Sequence, residues 1–242
     1  MGRVHFVGGE KGGVGKSVLA RLLIQYWIDR AVEFEAFDTD LSHGALVRHY
    51  AGYAQPLDVD RMEELDRIVD GVEEGAREVV VDLASRTERA LEAWLDAGEV
   101  LELLERMGHD VWYWYVIDGG KDSARLLSSL VDRLPRSVTL VSVRNQGRAS
   151  DFQLYEEAKL GTRIAARGGH EIELPDLHAR SMQKIDAYDK SFWAAIHNVD
   201  ESEGPCLSRM ERQRAKVAIR RAHDAMRGLL EPGIGCGSEP TT

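Results

Sequence analysis

The feature that most constrains this chain is a glycine-rich loop between an apolar strand and an amphipathic helix near the N-terminus. Residues 3–8 read Arg-Val-His-Phe-Val-Gly, which indicates a short buried strand, and residues 17–27 carry apolar side chains at helical spacing. Between them, residues 11–17 read Lys-Gly-Gly-Val-Gly-Lys-Ser. A strand, a turn of this composition and a helix in that order indicate a phosphate-binding loop.

Each residue type in this loop suits a phosphate ligand. Gly12, Gly13 and Gly15 allow backbone N–H groups to face phosphate oxygens, and the following helix adds the positive end of its dipole. Lys16 supplies a charge for the β- and γ-phosphates, and Ser17 supplies a hydroxyl for Mg²⁺. We therefore predict an ATP site with Mg²⁺, whose binding residues are Gly12, Gly13, Val14, Gly15, Lys16, Ser17 and Val18.

The rest of the chain alternates strands with helices, which predicts a parallel sheet covered by helices on both faces. Strands are expected at 3–8, 32–37, 78–82, 111–117, 137–143 and 170–174, and helices include 60–74 and one long helix at 87–107. The predicted fold class is therefore α/β, a single doubly wound and mostly parallel domain over residues 1–230. Its last element is a basic helix at about 206–230, and residues 231–242 are expected to form a flexible tail.

Polar residues stand where these strands end, at the edge where parallel sheets bind ligands. Asp82 follows three valines, so a buried strand delivers its carboxylate to that edge, and we predict that it holds a magnesium-bound water. Asp38 and Asp40 end the second strand, and strand alternation predicts that both point to one side. The alternative for each aspartate is a strand-end or helix-capping role.

Asn145 follows a late strand, and its amide has both a donor and an acceptor, which suits the edge of an adenine base. A turn asparagine before Gly147 is the alternative.

The loop resembles the deviant Walker A loop of the ParA/MinD group of dimeric ATPases. Glu10 stands where the general pattern has glycine, but Lys11 supplies the second lysine of the variant Lys-Gly-Gly-x-Gly-Lys-Ser. The resemblance implies that Lys11 reaches the phosphates of a partner subunit, much as an arginine finger does. It also implies that Asp38 belongs to the metal shell with Ser17 and Asp82, that Asp40 positions the attacking water, and that Asn145 contacts the base. Lys11, Lys16 and Asp40 are then the catalytic residues, and a solvated loop lysine is the alternative for Lys11.

A narrower resemblance joins the chain to the conjugal-transfer and plasmid-mobilisation branch of TraL, MobD and StbB types. It rests on Gly108-His109-Asp110, an aromatic strand and Asp118-Gly119-Gly120, and on the basic run 212–217. The resemblance implies a partner-stimulated ATPase switch that forms homodimers and works with plasmid-transfer or partition proteins. The segment Asp82–Ser85 lacks the proline common in ParA and MinD, which puts their switch behaviour in question here.

The net charge and the cysteine content argue against two other classes of function. The formal net charge of −10 argues against a surface that wraps a polyanion, although a local basic patch remains open. The two cysteines, Cys206 and Cys236, have no metal-ligand spacing and predict reduced thiols in a cytoplasmic protein. An electron-transfer reductase of the same fold would need cysteines near the dimer face to hold a metal cluster. This function is disfavoured because no cysteine precedes Cys206.

The basic C-terminal helix leaves two roles open. It can contact DNA or a membrane surface, peripherally, or pack its apolar stripe on the domain with solvated arginines outside. The alternatives to an ATPase switch are a nucleotide-binding scaffold with negligible hydrolysis and a DNA-binding partition-type ATPase.

Overall fold

The computed structural model describes residues 2–9, 11–200, 202 and 204–231, and its centre is a seven-stranded sheet in which every pair of neighbours is parallel. The strands are β1 (Arg3–Gly8), β2 (Phe34–Asp38), β3 (Ala54–Pro56), β4 (Glu78–Asp82), β5 (Asp110–Ile117), β6 (Val138–Asn145) and β7 (His170–Leu174). Their order across the sheet is β3-β2-β4-β1-β5-β6-β7, with β1 at the centre. The predicted doubly wound α/β fold is confirmed.

Helices connect successive strands and cover both faces of the sheet. Within the described residues they are α1 (Lys16–Ile28), α2 (Ala45–His49), α3 (Met62–Glu73), α4 (Glu88–Ala97), α5 (Val100–Arg106), α6 (Lys121–Arg133), α7 (Gln153–Glu157), α8 (Leu160–Ala165), α9 (Ala179–Ala187), α10 (Phe192–His197) and α11 (Arg209–Leu230). One hydrophobic cluster packs α1, α2, α9, α10 and α11 against one face of the sheet. A second cluster packs the six helices from α3 through α8 against the other face.

The strand β5 shows why this chain forms a sheet buried on both faces. Trp112 and Trp114 belong to the cluster on the α1 side, whereas Tyr113 and Tyr115 belong to the cluster on the other side. Side chains alternate along a strand, so a continuous apolar and aromatic run supplies both clusters at once.

Two parts of the fold differ from the sequence expectation. The single helix expected at 87–107 is two helices, because α4 ends at Ala97 and Glu99 adopts a left-handed φ of 46°. The two helices nevertheless bury apolar side chains, among them Leu91, Trp94 and Leu104. The short elements α2 and β3 were not anticipated, since neither is long enough to show a period.

The C-terminal helix begins at Arg209, where Ser208 and Glu211 form a capping box, slightly later than the expected start at 206. Its apolar side is buried against α1 and its neighbours, with Ala222 and Met226 fully enclosed. Of the two roles left open for this helix, the packing of its apolar stripe on the domain is therefore observed.

The expected tail beyond Glu231, with Cys236, lies outside the described residues, as does Glu10. No described helix is both long and apolar enough to cross a membrane.

Candidate functional site

The carboxyl edge of the sheet carries a cavity of about 320 Å³ beside the glycine-rich loop. Asp38 is the last residue of β2 and Asp82 the last of β4, so adjacent strands deliver both carboxylates to this edge. Asp40 also borders the cavity. From the loop and α1, the lining includes Gly13, Gly15, Lys16, Ser17 and Val18.

The loop itself has the backbone that its glycines predict. Gly13 has φ 78° and Gly15 has φ 110°, values that side chains with a Cβ rarely adopt. A Cβ on Gly15 would also lie 2.3 Å from Nδ2 of Asn145. No described side chain caps the N-terminus of α1, so its first N–H groups are open towards the loop. The end of such a helix is a ready site for an anion.

Lys16 is 8% exposed and its ammonium group has only weak partners. Nζ donates to the carbonyl oxygen of Lys11 and to Oγ of Ser85, each at 3.3 Å. Burial lowers the pKa of Lys16, against the opposing charges of Asp82 and Glu88. Both hydrogen bonds are long, so the ammonium group is available to a closer, negatively charged ligand.

Asp82 is 3% exposed, and its Oδ1 has no hydrogen-bond partner in the described part of the chain. Burial raises the pKa of Asp82 to about 7, and the nearby charge of Asp38 adds to this, against the hydrogen bond from Ser17 and the charge of Lys16. A buried carboxylate oxygen without a partner is costly. Ser17 and Asp82 thus hold oxygen atoms together in a setting that a divalent cation would relieve.

The two aspartates of β2 differ in their surroundings. Asp38 is buried, and its oxygens accept N–H groups from Asp40, Leu46 and Val47 at 2.8–3.2 Å, so it fixes the start of α2. Burial raises its pKa, against those three hydrogen bonds.

Asp40 lies beyond the end of β2, so strand alternation does not explain its direction. Its Oδ1 accepts from Ser42 and His43, and its side chain is 41% exposed. The hydrogen bond from the Ser42 hydroxyl is the main cause of its lowered pKa. Asp40 therefore carries a negative charge at neutral pH on the open side of the cavity.

Sequence reasoning missed two hydroxyl groups that organise this edge. Thr39 donates to the carbonyl oxygen of Asp82 at 3.0 Å and accepts the N–H of Ala84 at 2.7 Å, which ties β2 to the segment after β4. Ser85 accepts from Lys16. The only sequence signal was position: Thr39 directly follows the strand-end Asp38, and Ser85 lies three residues after the strand-end Asp82.

Asn145 borders a second cavity of about 180 Å³, beyond the first and between the ends of β6 and β7. Its Nδ2 donates to the carbonyl oxygen of Val14 at 2.7 Å, and its Oδ1 accepts the N–H of Gly147 at 3.0 Å. Asn145 therefore holds the loop in place, and its predicted contact with a base stays a prediction. Leu174, Leu177 and Met182 give the second cavity an apolar lining that suits a base.

Lys11 lies at the rim and points away from the loop's own cavity. Its Nζ donates to Oδ2 of Asp118 at 2.6 Å, and the lysine side chain is 40% exposed. Asp118 also accepts from Gly120 and Ser123 through Oδ1. The second lysine of the loop is thus partly exposed, paired with Asp118, and does not border the phosphate cavity of its own chain.

The donor set fits Mg²⁺ better than a metal held only by protein ligands. Among the described residues, no group of three or more His, Cys, Asp or Glu side chains could hold a metal ion. Mg²⁺ is commonly held by one or two carboxylates together with waters and substrate phosphates. Ser17 and Asp82 are the residues whose geometry here matches that requirement.

A scan against models of known protein families gives no match. The chain is 27% identical over 222 residues to the protein MobD of Acidithiobacillus ferrooxidans, covering 88% of this chain and 95% of MobD. It is 25% identical over 244 residues to a protein TraL of Escherichia coli, covering 91% of this chain and 95% of TraL. The alignments span nearly the whole of all three chains, so the similarity is not confined to the phosphate loop.

Solved structures show the same fold. The cell division ATPase MinD of Pyrococcus furiosus has a TM-score of 0.56 at 14% identity, covering 95% of this chain and 100% of that one. MinD of Aquifex aeolicus has a TM-score of 0.53 at 12% identity, with both chains covered in full. These likenesses confirm a MinD-like fold. The similarity to MobD and TraL confirms the resemblance to the conjugal-transfer and mobilisation branch.

Proposed function

We propose that this MinD-like chain of the TraL/MobD branch binds ATP with magnesium at the loop of residues 11–17 and hydrolyses it as a homodimer. The observation that carries the proposal is that Lys16 and Asp82 line the same cavity. Lys16 brings a buried ammonium group with long hydrogen bonds, and Asp82 brings a buried carboxylate oxygen without a described partner. A polyphosphate with its divalent cation satisfies both groups at once.

Each residue of the site then has a stated task. The N–H groups of the loop and of α1 bind phosphate oxygens, and Lys16 neutralises charge on the β- and γ-phosphates. Ser17 and Asp82 hold the cation, with Asp38 in its outer shell. The cation supplies charge neutralisation at the transferred phosphoryl group. Asp40, ionised and open to solvent, orients the attacking water.

Lys11 acts on the second subunit in this proposal. Its pairing with Asp118 at the rim supports the idea, because the ammonium group stands at the surface and outside its own phosphate cavity. When two copies meet face to face, Lys11 of one copy adds positive charge at the γ-phosphate of the other. Hydrolysis removes the γ-phosphate, so the contact with Lys11 is lost and the two copies separate.

The similarity to TraL and MobD suggests where such a switch operates. We place it in conjugative transfer, mobilisation or maintenance of a plasmid, where a partner protein reads the ATP-bound dimer and stimulates turnover. MinD of Aquifex aeolicus is itself found in a complex with MinC, which illustrates the kind of assembly expected.

The test compares ATP turnover and ATP-dependent sedimentation of the wild type with Lys11→Ala and Lys16→Ala. Lys16→Ala is expected to lose binding, and Lys11→Ala to bind ATP but lose dimerisation and turnover. If neither substitution changes turnover or dimerisation, the proposal is wrong. Tight ATP binding without phosphate release from the wild type would favour a nucleotide-binding scaffold instead.

A second candidate function, DNA binding, is favoured by the outer face of α11. Five exposed cations there have no carboxylate partner among the described residues: Arg209, Arg214, Lys216, Arg220 and Arg221. Membrane insertion of α11 is not favoured, because its apolar side is already packed. DNA retention that falls steeply with salt, and that disappears when Arg214, Arg220 and Arg221 are neutralised, would support this function.

A further inference from the structure

Three residues border both the phosphate cavity and the second cavity: Val18, Arg148 and Asp186. The phosphate loop lies on one side of this boundary and the apolar lining of β6 and β7 on the other. In a nucleotide the sugar joins the phosphates to the base. If ATP occupies both cavities, as proposed above, its ribose crosses the boundary at these three residues.

Two neighbouring side chains, Arg21 and His49, hold the carboxylate of Asp186 in place. Its Oδ1 accepts from Nη1 of Arg21 at 2.7 Å, and Nε2 of His49 lies 3.5 Å from the same oxygen. Arg21 is only 2% exposed, and its guanidinium lies over the ring of Phe192 at 4.7 Å. A stacked, buried arginine fixes the orientation of the carboxylate that it binds.

The other oxygen of Asp186 is free to bind a ligand. No described residue donates a hydrogen bond to Oδ2, and 46% of the side chain is exposed at the boundary. Partial burial tends to raise the pKa of Asp186, but its interactions with His49 and Arg21 outweigh it and hold the pKa at about 2. The group is therefore a carboxylate at neutral pH, which accepts hydrogen bonds and does not donate them.

We propose that Asp186 accepts a hydrogen bond from a ribose hydroxyl of the bound nucleotide and so makes the site selective for ribonucleotides. The proposal rests on the ATP site put forward above and adds the residue that recognises the sugar. Arg21 and His49 act as positioning residues, since each contacts Asp186 and neither borders the second cavity. Val18 leaves the neighbouring wall apolar, so the carboxylate is the acceptor that the boundary offers to a hydroxyl group.

The test is calorimetric titration of the full chain with ATP, 2′-deoxy-ATP and 3′-deoxy-ATP in the presence of Mg²⁺. The wild type is expected to bind at least one deoxynucleotide roughly tenfold more weakly than ATP, as for loss of one charge-assisted hydrogen bond. Asp186→Asn keeps the shape and an oxygen for Arg21 but removes the charge. It is expected to lose most of the preference by weakening ATP alone.

Asp189→Asn is the matched control, since Asp189 pairs with Arg48 nearby and borders neither cavity. Its preference is expected to equal that of the wild type. Equal binding of all three nucleotides by the wild type would overturn the proposal even if Asp186→Asn fails to fold. An unchanged preference in a folded Asp186→Asn would overturn it too. No ATP binding at all would remove the proposed function as well, so the two failures are distinguishable.

Discussion

Nζ of Lys11 lies 2.6 Å from Oδ2 of Asp118 in the same chain. The residue proposed to act on a partner subunit is therefore paired within its own subunit before any partner is bound. Partial burial tends to raise the pKa of Asp118, but the hydrogen bonds from Lys11 and Ser123 outweigh it and lower that pKa. Asp118 is therefore ionised at neutral pH, and its hydrogen bond to Lys11 must open for Lys11 to reach across a dimer.

The first prediction concerns this pair. Asp118→Asn is expected to favour the ATP-dependent dimer, because Lys11 no longer has to leave a charged partner. A partly exposed ion pair contributes roughly 1 kcal/mol or less, so the dimer dissociation constant should fall by at most about fivefold. Sedimentation with MgATP measures this constant, and Asp122→Asn, on the helix α6 that follows Asp118, is the control. Weaker dimerisation of Asp118→Asn would contradict the account.

The second prediction concerns Asp82 and pH. In the unfolded chain this group ionises near 3.8, whereas in the folded protein it keeps its proton up to about pH 7. The folded state therefore binds more protons between about pH 4 and 7, so this group's contribution to stability falls as pH rises through that range and stays low above it. The cost above pH 7 is on the order of 4 kcal/mol at most.

Asp82→Asn is therefore expected to raise the free energy of unfolding of the nucleotide-free protein, by more at pH 8 than at pH 5. The same variant should bind MgATP more weakly, because the cation loses a charged ligand. Urea denaturation at the two pH values measures the first effect. A gain in stability that is the same at both pH values would show that Asp82 is ionised throughout.

The third prediction separates two roles of Asn145. Asn145→Ala removes the bond to Val14, which should cost about 1–2 kcal/mol of stability and weaken every phosphate ligand. If Asn145 also contacts adenine, ATP should lose more affinity than inorganic triphosphate. Titration of the wild type and the variant with both ligands measures the difference. An equal loss for the two ligands would restrict Asn145 to holding the loop.

The sequence was most informative where a local pattern determines geometry. The apolar strands, the helix α1 and the glycines with positive φ follow from short-range rules, and strand ends located Asp38, Asp82 and Asn145 correctly. The break at Glu99 was not visible because the apolar spacing continues through it. Asp186 was not visible either, since it reaches the boundary only through α9, more than 160 residues after its partner Arg21.

The sequence also did not predict which hydrogen-bond partners each polar side chain has. Asp38 and Asp82 both end buried strands, and only the fold shows that the first is occupied by backbone N–H groups while the second has an oxygen without a described partner. Such differences depend on what the neighbouring loops deliver, and a single sequence does not reveal that.

The central claim is an ATP site built on Lys16, and calorimetric titration with MgATP tests it most directly. The wild type is expected to bind one ATP per chain, and Lys16→Ala at least tenfold more weakly, because a buried charge on the phosphates is lost. Lys121→Ala, an exposed lysine outside the cavity, should bind like the wild type. No binding by the wild type, or equal binding by Lys16→Ala, would contradict the account.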